Sequence, residues 1–268
     1  MQRVSSWLRL IRFREWYYFL VLPLAGTDPS EERARAALCF ARGAAIAFCV
    51  LAFGYLVNAA SDVGVDVDVR KNPLLETDRR RLVPSVTVSL AVTAILLAAS
   101  GPLVALLAAL VSLVSGVVYS IGPRLKAVPI AGTLANATNF VPLLWVGATS
   151  ADPPLARHLA PAFAGLLLQS QIFHEAADAE GDANAGLRTT FLALGRGWSV
   201  ALATLFGVLP AMGIGWTVGR LGIVVTYGVA FPLALAVYAR DPARAARLRT
   251  WHRVSGLAVG AALFLHDA

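Results

Sequence analysis

The sequence predicts an all-α membrane protein with nine transmembrane helices. Hydrophobic residues make up 57% of its 268 residues and charged residues only 15%, whereas a soluble domain carries about 25% charged residues. The mean hydropathy is +0.67. The apolar residues are gathered into stretches close to the length of about 20 residues that crosses a bilayer. One membrane domain covering residues 1–268 is the simplest organisation at this length.

Nine candidate spans follow one another along the chain. They cover residues 12–27, 36–59, 84–100, 102–121, 129–149, 159–177, 198–218, 221–239 and 250–266. Pro84, Pro102 and Pro129 stand where three of these spans begin, a position in which helices tolerate proline.

The distribution of Lys and Arg predicts the orientation. If the N-terminus is inside, seventeen basic residues lie on the inner side and four on the outer side, as the positive-inside rule requires. The two longest connections, about 60–83 and 177–197, both lie on the inner side, begin with acids and continue with bases. We therefore expect a multi-pass protein of a bacterial plasma membrane, surrounded by membrane lipids, with its active site on the cytoplasmic side.

The composition argues against two other classes of function. The net charge of +7 could attract nucleic acid, but the topology of the loops already explains the basic residues, and we expect no nucleic acid partner. Cys39 and Cys49 lie in one apolar segment. They are too few for a disulfide framework or a zinc site.

Two acidic motifs with identical spacing stand at the ends of two spans. The first is Asn58-x-x-x-Asp62-x-x-x-Asp66, and the second is His174-x-x-x-Asp178-x-x-x-Asp182. Residues four apart share one helix face, so each motif places two carboxylates together, where they need a positive partner. The repeated spacing suggests two pseudo-repeated halves, about 1–128 and 129–268.

The residue types of these motifs point to a metal-bound diphosphate. Oxygen ligands favour Mg²⁺, which proteins typically hold through one or two carboxylates together with substrate phosphates. Asn58 and His174 could bind the diphosphate or orient the acids. Basic residues that suit phosphate recognition follow or lie between the motifs; they are Arg70, Lys71, Arg124, Lys126 and Arg188.

Four segments of the chain resemble the UbiA superfamily of intramembrane prenyltransferases. They are Asn58 to Asp66, the run Lys71-Asn72-Pro73, the loop from Tyr119 to Lys126, and the stretch from Asp178 through Arg188 to Gly195. The resemblance covers nearly the whole chain and implies nine helices around a central cavity. It departs from the family pattern at Ala59, where many members have Asp, and at His174 and Glu175, where many have Lys or Asn.

The resemblance also implies a reaction. Mg²⁺ on Asp62, Asp66, Asp178 and Asp182 would hold a prenyl diphosphate, with Lys126, Arg188 and Arg70 adding hydrogen bonds. An electron-rich hydrophobic acceptor, aromatic or a quinone precursor, would trap the allylic cation. Tyr119 could shield that cation or simply pack. A chlorin, a glycerol phosphate lipid and a sugar phosphate also stay open as acceptors.

Three other functions are compatible with parts of the pattern. A membrane terpene cyclase of the same superfamily would share the ionising residues and need no acceptor. A transporter would need charged stations across the membrane, but apart from Arg42 the acids and bases cluster near the faces. An alcohol phosphotransferase would need closely spaced acids in one motif, whereas here the pairs lie far apart in the sequence.

Overall fold

The structure, a computed structural model, describes residues 7–28, 30–64, 69, 72–76, 78–213 and 222–267. These residues form helices and connections and contain no β-strand, which confirms the predicted all-α class. The α-helices are α1 (Arg33–Ser61), α2 (Val83–Ala99), α3 (Leu103–Ser120), α4 (Ala131–Phe140), α5 (Pro154–Asn184), α6 (Thr190–Gly213), α7 (Phe231–Tyr238) and α8 (Pro242–Asp267). The main additional segments are the 3-10 helices Tyr17–Gly26 and Val141–Leu144 and a π-helical segment, Val224–Ala230, that runs into α7.

The chain divides into two compact units. The first consists of Met1–Arg124 and Thr138–Ala156, and the second of Leu125–Ala137 and Arg157–Ala268. The first acidic motif belongs to the first unit and the second motif to the second unit. The predicted pseudo-repeat of two halves stays a prediction.

Small residues face the interior of the first unit. Seven of the eight buried residues on α3 are small, with Leu113 as the exception, while most of the large side chains occupy exposed positions; the small buried residues are Ala105, Ala108, Ala109, Ser112, Ser115, Gly116 and Ser120. Leu103 and Val114, for example, are 68% and 59% exposed. A soluble helix would show the opposite pattern. Small residues inside and large apolar residues outside are typical of helices that pack closely in lipid.

Arg42 on α1 holds connections within the first unit. Its Nη2 donates to the carbonyl oxygen of Ala148 at 3.0 Å, and Nη1 lies 3.5 Å from the carbonyl oxygen of Ser100. A Cβ added at Gly101 would lie 2.7 Å from the guanidinium carbon. The Arg42 guanidinium therefore donates to backbone carbonyl oxygens that follow helical segments, those of Ser100 and Ala148.

A buried polar cluster joins four helical segments of the second unit. Gln169 on α5 donates from Nε2 to the carbonyl oxygens of Ala203 at 2.7 Å and of Tyr227 at 2.6 Å. Its Oε1 lies 2.8 Å from His252 Nε2 on α8. Because both amide protons of Gln169 go to carbonyls, Oε1 is the acceptor and His252 Nε2 carries the proton.

Each of the nine predicted spans overlaps a helical segment of the described chain. Among the described residues, three stretches have the length and apolarity of a membrane span: α1, α3 and Thr190–Val208 within α6. Shorter apolar helices are Tyr17–Gly26, Val83–Ala99 and Val224–Tyr238.

Two spans illustrate how the structure differs in detail from the prediction. The predicted span 129–149 ends its α-helix at Phe140 and continues as the 3-10 helix Val141–Leu144, because Pro142 cannot donate within an α-helix. The predicted span 159–177 is part of a longer helix, because α5 continues to Asn184. The acidic segment of the second motif is therefore helical.

Candidate functional site

The first acidic motif lies at the C-terminal end of α1. Asp62 is the residue that ends the helix, and its backbone N–H donates to the carbonyl oxygen of Asn58. The Asp62 side chain is only 14% exposed, and its Oδ1 pairs with Arg124 Nη2 at 3.1 Å. Arg124 has a φ of 49°, a left-handed conformation that is uncommon outside glycine and is often found at functional sites.

Asn58 contacts the end of α3. Its Oδ1 accepts a hydrogen bond from Ser120 Oγ at 3.2 Å, and Ser120 is buried. Tyr119, the residue before it, is half-buried. The structure therefore brings the predicted residues Asn58, Asp62 and Arg124 together, with Tyr119 beside them in the chain.

The segment after the first motif is tied back to α1 through Asn72. This residue is 1% exposed, and its Nδ2 donates to the carbonyl oxygen of Ala59 at 2.8 Å. Its Oδ1 accepts from the backbone N–H of Leu74 at 3.2 Å. Three of the predicted site residues, Asp66, Arg70 and Lys71, lie outside the described residues.

The second acidic motif lies in the last three turns of α5. His174 Nδ1 and Asp178 Oδ2 are 3.1 Å apart, and the Asp178 side chain is 34% exposed. Arg249 Nη1 on α8 also contacts His174 Nδ1. His174 Nδ1 therefore faces both a guanidinium and a carboxylate, and it bonds to one of them at a time, since this nitrogen either accepts from Arg249 or donates to Asp178. Asp182 is half-buried one turn beyond Asp178.

A glycine cap ends α5 shortly after Asp182, since the helix ends at Asn184. Gly186 has a φ of 69°. The backbone N–H of Leu187 donates to the carbonyl oxygen of Asp182 at 2.9 Å, and that of Gly186 to Ala183 at 3.1 Å. This pair of bonds is the Schellman motif. It ends the helix and turns the chain sharply. Arg188, which is exposed, follows two residues after Gly186, beyond the helix end.

Lys126 lies in a tight turn, Leu125–Ala127, that packs against the start of α4. A Cβ added at Gly132 would lie 2.6 Å from the carbonyl oxygen of Leu125, so only glycine permits this approach. Lys126 itself is half-buried. Lys126, His174, Asp178, Asp182 and Arg188 therefore all belong to the second unit.

The donor atoms of these motifs suit a hard divalent cation. Carboxylate oxygens at Asp62, Asp178 and Asp182 are the ligands that Mg²⁺ prefers, and the exposed part of Asp178 leaves lone pairs for a metal. Within the part of the chain that the structure describes, no group of three or more His, Cys, Asp or Glu could hold a metal ion. Mg²⁺ does not require such a group, because substrate phosphates usually complete its coordination.

Two contacts of this region involve residues that sequence reasoning did not assign to the site. The positive-inside rule is enough to account for Arg249 from the sequence, and no sequence pattern reveals its contact with His174. Ser120 lies in the loop from Tyr119 to Lys126, but its bond to Asn58 requires the end of α3 to meet the end of α1.

Comparison with known proteins agrees with the all-helical fold. The profile of the UbiA prenyltransferase family matches residues 16–261. No curated protein matches the chain. Among solved structures, a UbiA homolog from Archaeoglobus fulgidus bound to GPP and Mg²⁺ is 22% identical, with a TM-score of 0.68 over 94% of this chain and 99% of that one.

Two further solved structures have the same fold. The Archaeoglobus fulgidus homolog bound to DMAPP and Mg²⁺ is 22% identical, with a TM-score of 0.64 over 95% of this chain and 98% of that one. A digeranylgeranylglyceryl phosphate synthase is 16% identical, with a TM-score of 0.70 over 97% of this chain and 99% of that one. At these identities the likeness establishes the fold of the chain.

Proposed function

The chain belongs to the UbiA prenyltransferase family, and from this premise we propose that it is a Mg²⁺-dependent intramembrane prenyltransferase. It moves a prenyl group from a prenyl diphosphate to an electron-rich acceptor, an aromatic compound or a quinone precursor. The observation that carries the proposal is the pair of acidic motifs at helix ends, the first with Arg124 bound to it and the second with Arg249 close by. Asp62 pairs with Arg124, and Asp178 contacts His174, which contacts Arg249.

The four motif acids Asp62, Asp66, Asp178 and Asp182 would hold the metal. When bound, Mg²⁺ supplies positive charge that stabilises the diphosphate as a leaving group. Basic side chains of the protein bind the rest of the diphosphate. Lys126, Arg188, Arg70 and Lys71 bind phosphate oxygens, because guanidinium and ammonium groups donate several hydrogen bonds to them.

Arg124 and Asn58 prepare the first motif for its ligand. Arg124 holds the Asp62 carboxylate through one nitrogen at 3.1 Å, and its other guanidinium donors can reach a phosphate oxygen in the same plane. Ser120 orients the Asn58 amide by donating to its oxygen, which directs the amide N–H groups away from that contact. The side chains of Arg124 and Asn58 are therefore oriented before the substrate binds, and such preorganisation favours binding of the transition state.

The acceptor reaction requires a dry pocket. After the bond between the prenyl carbon and the diphosphate oxygen breaks, water would trap the allylic cation unless the membrane and the helices exclude it. Tyr119 is half-buried beside Ser120, and its ring can face the cation as a π system. The acceptor then forms the new bond to the prenyl carbon and loses a proton.

The predicted orientation belongs to the same proposal. Both motifs end spans on the side where the predicted topology places seventeen of the basic residues, so the active site faces the cytoplasm if the positive-inside rule holds. Arg42 is the charged residue that lies deepest within a predicted span, and its guanidinium binds backbone carbonyl oxygens, which weighs against a role as a station of a transporter.

Diphosphate release from the purified protein tests the proposal. The protein is supplied with Mg²⁺ and with geranyl, farnesyl or geranylgeranyl diphosphate, with and without a mixed extract of acceptors, and EDTA is the control. We expect release that depends on both Mg²⁺ and the extract. Release without extract would favour the cyclase alternative. No release under any condition would refute both enzymatic assignments.

A further inference from the structure

A buried carboxylate on α5 is not used by the proposed reaction. Glu175 is 6% exposed and lies one residue after His174. Donors from three stretches of chain point at its two oxygens. Thr133 Oγ1 and Gln171 Nε2 donate to Oε1 at 3.0 and 3.3 Å, and the backbone N–H of Phe191 donates to Oε2 at 2.9 Å. Both oxygens act as acceptors, as a buried carboxylate requires.

The hydrogen bonds around Glu175 extend in one direction. The Thr133 and Thr190 hydroxyls are 2.7 Å apart. Because Thr133 gives its single proton to Glu175, Thr190 must be the donor in this pair. Thr190 Oγ1 in turn accepts from the backbone N–H of Ile130 at 2.8 Å. A directed chain therefore runs from Ile130 through Thr190 and Thr133 and ends on Glu175.

This chain fixes an unusual backbone conformation. Ile130 has a φ of 64°, which is an outlier for a β-branched residue and persists only where neighbouring contacts hold it. Thr190 and Thr133 are each 1% exposed, so water cannot replace their bonds. The turn of Lys126 ends at Ala127, three residues before this position.

The Glu175 carboxylate also contacts the segment that carries Arg188. Phe191, whose N–H it binds, lies in the first turn of α6, three residues after Arg188. Asp178 lies three residues after Glu175 on α5, which is nearly one helical turn. One side chain thus joins the Lys126 turn and the Arg188 segment to the helix of the second motif.

We propose that Glu175 is a positioning residue that holds Lys126 and Arg188 in register with Asp178 and Asp182. The inference rests on the proposed function, since it assigns these four residues to binding of a Mg²⁺–diphosphate. Glu175 acts through the backbone of the neighbouring segments. Two carboxylate oxygens are required because donors arrive from three separate stretches of chain.

Hydrogen exchange together with ligand binding tests this role in the purified full-length protein. Glu175→Gln replaces one accepting oxygen by a donating amide, so either the Phe191 N–H or the donors of Thr133 and Gln171 lose their partner. It also removes the negative charge that strengthens the remaining hydrogen bonds. We expect faster exchange in peptides 128–134 and 188–194. We also expect affinity for geranyl diphosphate with Mg²⁺ to fall about tenfold or more, as for other residues that orient a site. Glu32→Gln, which changes an exposed acid, should match the wild type in both measurements.

Thr190→Val separates the two arms of the network. It breaks the bond from Ile130 but leaves the bond between Glu175 and the Phe191 N–H, so we expect only peptide 128–134 to lose protection. If Glu175→Gln caused only a local defect around residue 175, hydrogen exchange in the distant peptide 128–134 would stay unchanged in that variant. This variant also decides the question if Glu175→Gln does not fold.

The outcomes are distinct. Unchanged exchange in both peptides of Glu175→Gln, or lost protection with wild-type affinity for geranyl diphosphate, would overturn the inference. If Glu175→Gln does not fold, unchanged exchange of peptide 128–134 in Thr190→Val would overturn it. Failure of the proposed function has a different signature: the wild-type protein itself would not bind geranyl diphosphate with Mg²⁺, and the inference would fall with its premise.

Discussion

Asp62 stands at the point where a helix of 29 residues meets the polar edge of its unit. A carboxylate that is only 14% exposed loses much of its hydration and needs a positive partner. Arg124 provides it from the loop after α3, in a left-handed backbone conformation. The hydrogen bond between the charged groups of Arg124 and Asp62 offsets the conformational free energy that the left-handed backbone costs. We infer that this contact determines the conformation of the loop.

The Arg124 side chain should therefore contribute to substrate affinity. Arg124→Gln removes the charge and leaves a polar side chain of moderate size. Because a hydrogen bond to a charged group contributes about 1.5–3 kcal/mol, we expect the KM for a prenyl diphosphate to rise about 10- to 100-fold by the same scale. Steady-state kinetics of diphosphate release measure it.

The matched control for this variant is Arg35→Gln. Arg35 is 61% exposed and pairs with Glu31 across one turn, so its removal should leave KM unchanged. A wild-type KM in Arg124→Gln would show that the arginine serves only the fold of the loop.

Local spacing revealed the acids, but it could not reveal their partners. The interval of four residues between Asp178 and Asp182 is visible in the sequence and has a direct physical meaning on a helix. Glu175 binds Thr133 and Phe191, which are 42 and 16 residues away. Such contacts depend on how helices pack, and no short sequence pattern encodes them.

At the scale of single elements, α5 depends on its glycine cap. Gly186 adopts a φ of 69°, and an L-residue in the left-handed region costs about 1–2 kcal/mol. Gly186→Ala should lower the free energy of unfolding by about 1 kcal/mol and reduce turnover, since Arg188 lies two residues beyond. Thermal unfolding in detergent and the diphosphate assay measure the two effects.

Gly197→Ala is the control for the cap. Gly197 lies on α6 without a positive φ, and a Cβ there would meet nothing within 4 Å, so alanine should be neutral or slightly stabilising in a helix. Equal effects of the two substitutions would contradict the role of the cap.

The Gln169 cluster makes a second prediction for the elements. Gln169→Leu removes hydrogen bonds to Ala203, Tyr227 and His252. Interhelical hydrogen bonds within membranes average about 0.6 kcal/mol each, so we expect a loss of about 2 kcal/mol in the free energy of unfolding. Adding His252→Phe should cost less in this background than in the wild type. Additive losses would show that the two side chains are not coupled.

Hydropathy located the helical segments better than it located their ends. It found the apolar part of α5 but stopped at residue 177, because the acids that follow are polar, although the helix continues to Asn184. It also treated residues 12–27 as one ordinary span, whereas Tyr17–Gly26 is a 3-10 helix. Apolar content reports where a chain can enter lipid, while caps and prolines decide where and how each helix ends.

At the scale of the whole molecule, the proposed orientation makes a test in cells possible. With Cys39 and Cys49 replaced by Ala, single cysteines are introduced as Asp152→Cys and Asn184→Cys, both at exposed positions. The positive-inside rule predicts that a membrane-impermeant maleimide labels residue 152 in intact cells and residue 184 only after permeabilisation. The reverse pattern would refute the orientation.

The central claim is that both acidic motifs serve one Mg²⁺-dependent prenyl transfer. Its most direct test is diphosphate release by Asp62→Asn and by Asp178→Asn, each compared with Asp152→Asn, which changes an exposed acid in a different connection. Since Asn keeps the size but not the charge of Asp, the variants should stay folded. We expect either motif variant to abolish release while Asp152→Asn keeps it. Full activity in either motif variant would show that the altered motif takes no part in the transfer.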